Sequence, residues 1–206
     1  EPATGVVPAD VREQAFDSAA EPDLGEVAVG GDEGVALVIG EALIDVVHGP
    51  EGSVAKHPGG SPANVALGLA RLGRDAHLLT WFGADEHGAL LRRHLESSGV
   101  SVVAGSDSAE RTSVAAAHVD EDGVATYEFD LSWHVPDRWA APAGAPVVVH
   151  TGSIAAVLEP GGPDVARILE AYRSTASVTY DPNLRPSLMP AAEETRPVVE
   201  RLVALA

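Results

Sequence analysis

Asp45 closes the stretch Gly40-Glu41-Ala42-Leu43-Ile44-Asp45, which follows an apolar run. An ionised carboxylate accepts hydrogen bonds from two hydroxyls at once, so Asp45 suits a polyhydroxylated molecule; a capping or turn aspartate is the structural alternative. A second group lies in Gly59-Gly60-Ser61-Pro62-Ala63-Asn64-Val65-Ala66, where a double glycine leads into a helix. Glycine lets a ligand approach the backbone, and the positive end of a helix favours electronegative atoms. Asn64, one turn in, offers a donor and an acceptor to a hydroxyl that must do both. A bare Gly-Gly is an ordinary turn; Gly-Gly-Ser-Pro-Ala-Asn in this position is more specific. The eight histidines show no metal-ligand spacing. No metal site is expected among them.

These residues need a scaffold that aims them at one place. Val35–Ile39 is a continuous apolar run ending at Gly40, the pattern of a parallel strand buried on both faces. A helix is expected from about Pro62 to Leu72, capped by Ser61 and stopped by Gly73. A strand over Ala76–Phe82 and a helix over Glu86–Ser98 follow, with Asp85 as N-cap and Gly88 serving the turn. Between Thr112 and Leu131 the period falls to two around Asp120-Glu121-Asp122-Gly123, which predicts an antiparallel hairpin. Strand Val147–His150, helix Gly162–Arg173, strand Ser177–Tyr180 and a helix from about Ala191 to Ala204 restore the alternation. The whole predicts an α/β fold, a doubly wound and mostly parallel sheet with a small antiparallel lid. In such sheets ligands bind beyond the carboxyl ends of the strands.

Residues 1–34 form an acidic stretch with Arg12 as its one base, expected to be a solvated, disordered tail or an acidic interaction arm. The folded domain is expected over 35–206, with lid segments at about 48–58 and 112–131. A formal charge of -18 opposes nucleic acid and anionic membrane surfaces as partners. No apolar run reaches the roughly 20 residues that span a bilayer, and the absence of cysteine is compatible with a cytoplasmic protein.

Gly59-Gly60-Ser61-Pro62-Ala63-Asn64-Val65-Ala66 with Ala70-Arg71-Leu72-Gly73 resembles the N-terminal signature of the ribokinase/PfkB carbohydrate kinases. In the family's order, Gly40–Asp45 is similar to the first strand of fructokinase-like members, and Gly83-Ala84-Asp85-Glu86-His87-Gly88 to a later turn. His150-Thr151-Gly152-Ser153 resembles the strand leading to the site, and Asp181-Pro182-Asn183-Leu184-Arg185 the Asp-Pro-Asn-x-Arg element. The resemblance covers about Val35 to the C-terminus and implies ATP-dependent phosphorylation of a sugar hydroxyl, with Mg2+ shielding the phosphates. It implies that Asp45, Gly59, Gly60 and Asn64 hold the sugar. Asp181, Asn183 and Arg185 would then lie near the accepting hydroxyl and the terminal phosphate, where a guanidinium makes bidentate contacts. The hairpin corresponds to the family's β lid. Tyr127 and Phe129, on one face of it, either close over the sugar or pack against a second subunit, a homodimer contact the resemblance implies.

Fructose is the first expected substrate, with 2-keto-3-deoxygluconate or a riboside as alternatives on the same frame. The family's Asn-x-x-Glu and Asp-Thr-x-Gly-Ala-Gly-Asp motifs, which carry the catalytic base and the anion hole, do not occur in these 206 residues. The chain is therefore expected to be C-terminally truncated, with its base beyond Ala206, and to be inactive as a kinase alone. A non-catalytic sugar-binding or regulatory protein is the competing expectation. A dinucleotide-dependent oxidoreductase is disfavoured, because the first strand leads to no Gly-x-Gly-x-x-Gly.

Overall fold

The aliphatic run Val35–Ile39 forms strand β1, and every one of its residues is buried. It lies at the centre of a parallel sheet with β4 (Ala76–Leu79), β5 (Ser101–Val102), β8 (Pro146–Thr151) and β9 (Ser177–Tyr180), in the order β5-β4-β1-β8-β9. Residues 34–49, 52–119 and 125–206 are described by this computed structural model. The acidic stretch expected to be disordered, up to residue 33, and the hairpin turn lie outside the described residues.

Strand alternation decides which helices cover which face. Val38 and Leu78 pack with Ala63 and Ala66 of α1 (Ser61–Arg71) and Leu91 and Leu95 of α2 (Glu86–Ser97). Leu37, Ile39, Leu79, Val149 and Val178 face α3 (Ser153–Val157), α4 (Gly162–Tyr172) and α5 (Ala192–Leu205). Each fully buried leucine on either face contributes about 2–3 kcal/mol relative to exposure. The chain winds from β1 to β4 on one side and later to β8 on the other, so the doubly wound architecture holds and its switch point is the β1–β8 boundary.

A second sheet, ordered β3-β2-β6-β7, is built from β2 (Leu43–His48), β3 (Val54–Gly59), β6 (Val114–Val119) and β7 (Ala125–Asp130). Its two hairpins are antiparallel, but β2 and β6 run parallel, so the lid is mixed and not antiparallel as expected. Two hairpins laid side by side with their inner strands in one direction account for the difference. The lid also starts earlier than expected, at Leu43, because Ile44 and Val46 are buried on its inner face while Asp45 between them is exposed. Asp45 is thus a mid-strand residue and not part of a loop after β1.

Ser61 does not cap α1. The cap position belongs to Gly60, with φ 107°, and no side chain caps the helix. The strand expected to reach Phe82 stops at Leu79, because the Thr80 and Phe82 amides donate to Ser106 Oγ and O, at 3.2 and 2.8 Å. Asp85 does cap α2, accepting from the Gly88 amide at 2.8 Å. Its carboxylate also accepts from the Thr112 amide at 2.8 Å and the Thr112 hydroxyl at 2.7 Å, fastening α2 to the start of the lid hairpin.

Candidate functional site

Register places the lid candidates in rows. Asp45 lies opposite His57 on β3 and Ala115 on β6, and Ala115 lies opposite Phe129 on β7. Residues in register share a face, so Asp45, His57, Ala115 and Phe129 form one line across the sheet. The next line on that face is Ala55, Val47, Ala117 and Tyr127. Ala115 and Ala117 are buried, while the stacked rings of Tyr127 and Phe129, 6.1 Å apart, remain 47% and 42% exposed. That exposure leaves a sizeable aromatic surface on the face that carries Asp45.

The β2–β3 pairing brings Asp45 over the double glycine. A Cβ on Gly59 would stand 2.4 Å from Asp45 Oδ2, so only glycine leaves the carboxylate its present place. At Gly60 a Cβ would meet the Glu41 carbonyl at 2.5 Å, and the positive φ independently disfavours any side chain. Asn64 follows in the first turn of α1, its amide bonded to the Gly60 carbonyl at 2.9 Å and the residue exposed. Asp45, Gly59, Gly60 and Asn64 are therefore linked through the β2–β3 pairing and the start of α1, with Asp45 and Asn64 exposed and Gly59 buried beside the Asp45 carboxylate. Together they offer an acceptor, a bare backbone and an amide, which is the chemistry a polyol requires.

At the carboxyl end of β1 sits Glu41, 5% exposed. Burial drives its pKa up to about 7, against backbone amides of Glu41 itself, Ala155 and Ser61, which favour the charged form; the Asp181 carboxylate adds to the rise. The Ser61 amide at the start of α1 acts on Glu41, while the Asn64 amide, which a Ser61 cap would have engaged, is taken by the Gly60 carbonyl. Glu41 Oε2 has no hydrogen-bond partner. Asp181 follows β9, its amide donating to the Thr151 carbonyl at 3.1 Å and its Oδ1 accepting from the Asn183 amide at 3.1 Å. Burial lowers the His150 pKa, and burial with Asp181 raises that of Tyr180; His150 Nε2 and the Tyr180 hydroxyl are also buried without partners.

Arg185 is exposed, and its guanidinium is bound within its own loop, to Asn183 Oδ1 and to the Leu184 carbonyl at 3.3 Å. It pairs with neither Asp181 nor any residue of the Asp45–Asn64 set. Two clefts of about 380 and 350 Å3 lie elsewhere, one against Trp139 and Ile168, the other between Lys56 and Arg93. Among the described residues no group of three or more His, Asp or Glu is gathered to hold a metal ion, and no helix is long and apolar enough to cross a membrane.

The model of the pfkB family of carbohydrate kinases matches residues 35–206. The chain belongs to this family. It is 35% identical over 181 residues to a fructokinase of Klebsiella pneumoniae, covering 84% of this chain and 58% of the relative. It is 35% identical over 179 residues to fructokinase-1 of Zea mays, covering 79% of this chain and 55% of that protein. A structure of a Vibrio cholerae O395 fructokinase with fructose, ADP and potassium bound superposes with a TM-score of 0.69 at 25% identity, covering 84% of this chain and 58% of that one. The chain thus spans less than two thirds of the length of the relatives it matches. Family and ribokinase-like fold agree with what the motifs implied.

Within this pfkB-family chain, sequence reasoning passed over Glu41 in favour of Asp45. The available signal was its position: an acid two residues beyond an all-aliphatic strand stands at the topological switch point, where sheet ends converge.

Proposed function

We propose that the protein is an ATP-dependent ketose kinase of fructokinase type, in which this chain supplies the sugar-binding portion. The observation that carries the proposal is the linked set Asp45–Gly59–Gly60–Asn64, whose glycines are enforced by the Asp45 carboxylate and the Glu41 carbonyl. Asp45 accepts two sugar hydroxyls, the Gly59–Gly60 backbone lies flat under the ring, and Asn64 both donates and accepts. Tyr127 and Phe129 close this face, over the sugar or against the lid of a second copy. Asp181, Asn183 and Arg185 form the phosphate side of the site. Arg185 leaves its present Asn183 partner and spreads over a phosphate oxygen, a contact a guanidinium makes bidentately.

Mg2+, which would shield the nucleotide phosphates, has no cluster of donors among the described residues, so these residues are assigned no part in holding it. The 206-residue chain alone binds sugar without turning over ATP, since its sequence has no Gly-Ala-Gly-Asp element to supply base and anion hole. The test is fructose-dependent ADP release by the full-length protein. Asp45→Ala is expected to raise the fructose KM by roughly 100-fold, and Arg185→Lys to lower kcat by about 10- to 100-fold with KM for fructose nearly unchanged. Wild-type fructose KM in Asp45→Ala would overturn the assignment of the set.

A further inference from the structure

Lys56, the single lysine of the chain, stands on the lid but not on its Asp45 row. It lies opposite Val46, while the next residue, His57, lies opposite Asp45, so alternation along β3 turns Lys56 to the face away from Asp45. Val46 on that face belongs to the same buried cluster as Leu91 and Leu95 of α2. Between β3 and α2 is a cleft of about 350 Å3, lined by Lys56 on one side and by Glu86, His87, Ala89, Leu90 and Arg93 on the other. Glu86, Leu90 and Arg93 are spaced i, i+4 and i+7, which puts them on one stripe of the helix. Strand and helix thus bring one cation each to a single concavity. Neither Lys56 nor Arg93 makes an ion pair among the described residues, whereas the adjacent Arg92 is held by Glu96 and Asp107, each at 2.9 Å. Asp85 is occupied with Gly88 and Thr112, which leaves Glu86 as the one carboxylate of the lining.

A lysine on an edge strand commonly deters pairing with another sheet, and β3 is such an edge. That task calls for no second cation across a hollow. Here Lys56 and Arg93 share one cleft, so their fields add within it, in a chain whose formal charge is otherwise strongly negative at -18. A multiply charged anion satisfies both: the ammonium contacts it as a point charge, and the guanidinium forks over two phosphate oxygens. Ala89 and Leu90 give the same cleft an apolar wall, which a bare inorganic ion would leave uncovered. The volume falls at the small end of pockets that hold small molecules. We propose that the cleft between β3 and α2 binds a phosphate monoester of a small metabolite, its phosphoryl group held by Lys56 and Arg93 and its carbon chain lying on Ala89 and Leu90. His87 supplies a further hydrogen-bonding group, and Glu86 accepts from a hydroxyl on that chain. A ligand bound there bridges the lid to α2 from the face opposite Asp45, so the site is separate from the sugar-binding set and does not depend on the ketose-kinase reading.

The experiment is calorimetric titration of glycerol 3-phosphate, and separately of inorganic phosphate, into the full-length protein at about 50 mM salt, where exposed charges are least screened. Wild type is expected to bind glycerol 3-phosphate at one site and about tenfold more tightly than inorganic phosphate, the difference coming from the apolar wall. Lys56→Gln and Arg93→Gln each remove one charged contact and should each weaken binding about 10- to 100-fold. Both side chains are exposed and outside any ion pair among the described residues, so thermal melts of the two variants should match wild type and show that the loss is not one of folding. Binding that survives both substitutions but is lost in Arg185→Ala would put the anion on the phosphate side of the sugar site and overturn the cleft assignment. Equal affinity for the two probes would overturn the monoester as ligand. Absence of binding of either probe by wild type would remove the site altogether, while fructose-dependent ADP release by the same protein continues to report on the kinase function by itself.

Discussion

Glu41→Gln should make the protein more stable at alkaline pH and leave it nearly unchanged in acid, the reverse of what loss of a native carboxylate usually does. The folded-state pKa is raised from 4.5 to about 7, so the folded chain holds a proton that the unfolded chain releases between those two values. Stability from this group is therefore full below about pH 4.5, falls as pH rises through that window, and is level above about pH 7. Each pH unit in the window corresponds to about 1.4 kcal/mol, which makes the burden of ionising Glu41 about 3 kcal/mol at pH 8 and about 1 kcal/mol at pH 5. Glutamine carries no such burden. Urea unfolding of both proteins across this range should show Glu41→Gln gaining about 2–3 kcal/mol on wild type between pH 5 and pH 8. Comparing the two proteins cancels the titration of the remaining acids and histidines. A stability difference that stays constant with pH would refute the reasoning, because it would mean that Glu41 ionises in the fold as readily as in the unfolded chain.

Two further outcomes follow from the Asp45–Asn64 set and from the base of the lid. Gly59→Ala puts a methyl group where the Asp45 carboxylate now lies, 2.4 Å from Oδ2. Because the end of an exposed side chain can swing away, unfolding stability should drop by less than about 1 kcal/mol while fructose affinity falls at least about tenfold; calorimetry together with thermal melts separates the two. Asp85→Ala removes a helix cap and leaves the buried Thr112 amide without its acceptor, which should cost about 2–3 kcal/mol in thermal unfolding. Partial burial pushes the Asp85 pKa up, but the Gly88 and Thr112 donors outweigh it and hold it below the usual carboxylate range. That stabilisation is present at neutral pH and fades on acidification, so the difference between Asp85→Ala and wild type should shrink as pH falls.

Much of the parallel sheet was legible because its strands announce themselves. Val35–Ile39 is bounded as its residues suggest, since a doubly covered strand must be aliphatic and the following Gly40 must not be, while Ser177–Tyr180 is an edge strand whose alternation exposes Ser177 and Thr179 and buries Val178. Strand β2 was not legible. Its period-2 signal, buried Ile44 and Val46 around exposed Asp45, begins three residues after a run that reads as all-apolar, and only tertiary pairing with β3 and β6 separates the two strands. The parallel β2–β6 pairing joins segments about 70 residues apart, and no local pattern reports it. Ser61 misled for a related reason: it has the residue type of a cap, but the Gly60 carbonyl already takes the Asn64 amide that a Ser61 cap would bind, so the helix opens one residue earlier. Of the candidate site, Asp45, Gly59, Gly60 and Asn64 could be found from residue type because each has a polar or steric peculiarity in its own segment. The environment of Glu41 is set by neighbours drawn from α1, α3 and the end of β9, which its own segment does not reveal.

Asp45 and Glu41 stand four residues apart, carry the same functional group, and fall into opposite electrostatic regimes. Asp45 is exposed on the lid, where under the proposed function it exchanges water for sugar hydroxyls. Glu41 lies where β1 leaves the sheet between two helix starts, and burial makes its charge expensive even with amides aimed at it. The lid is therefore tethered to the sheet through a segment with an exposed acid on the lid and, four residues earlier, a buried acid whose pKa is raised to about 7. Of the two, Glu41 is the one whose ionisation the fold opposes near neutrality, so a loss of stability on the alkaline side that disappears in Glu41→Gln identifies the buried acid as its source.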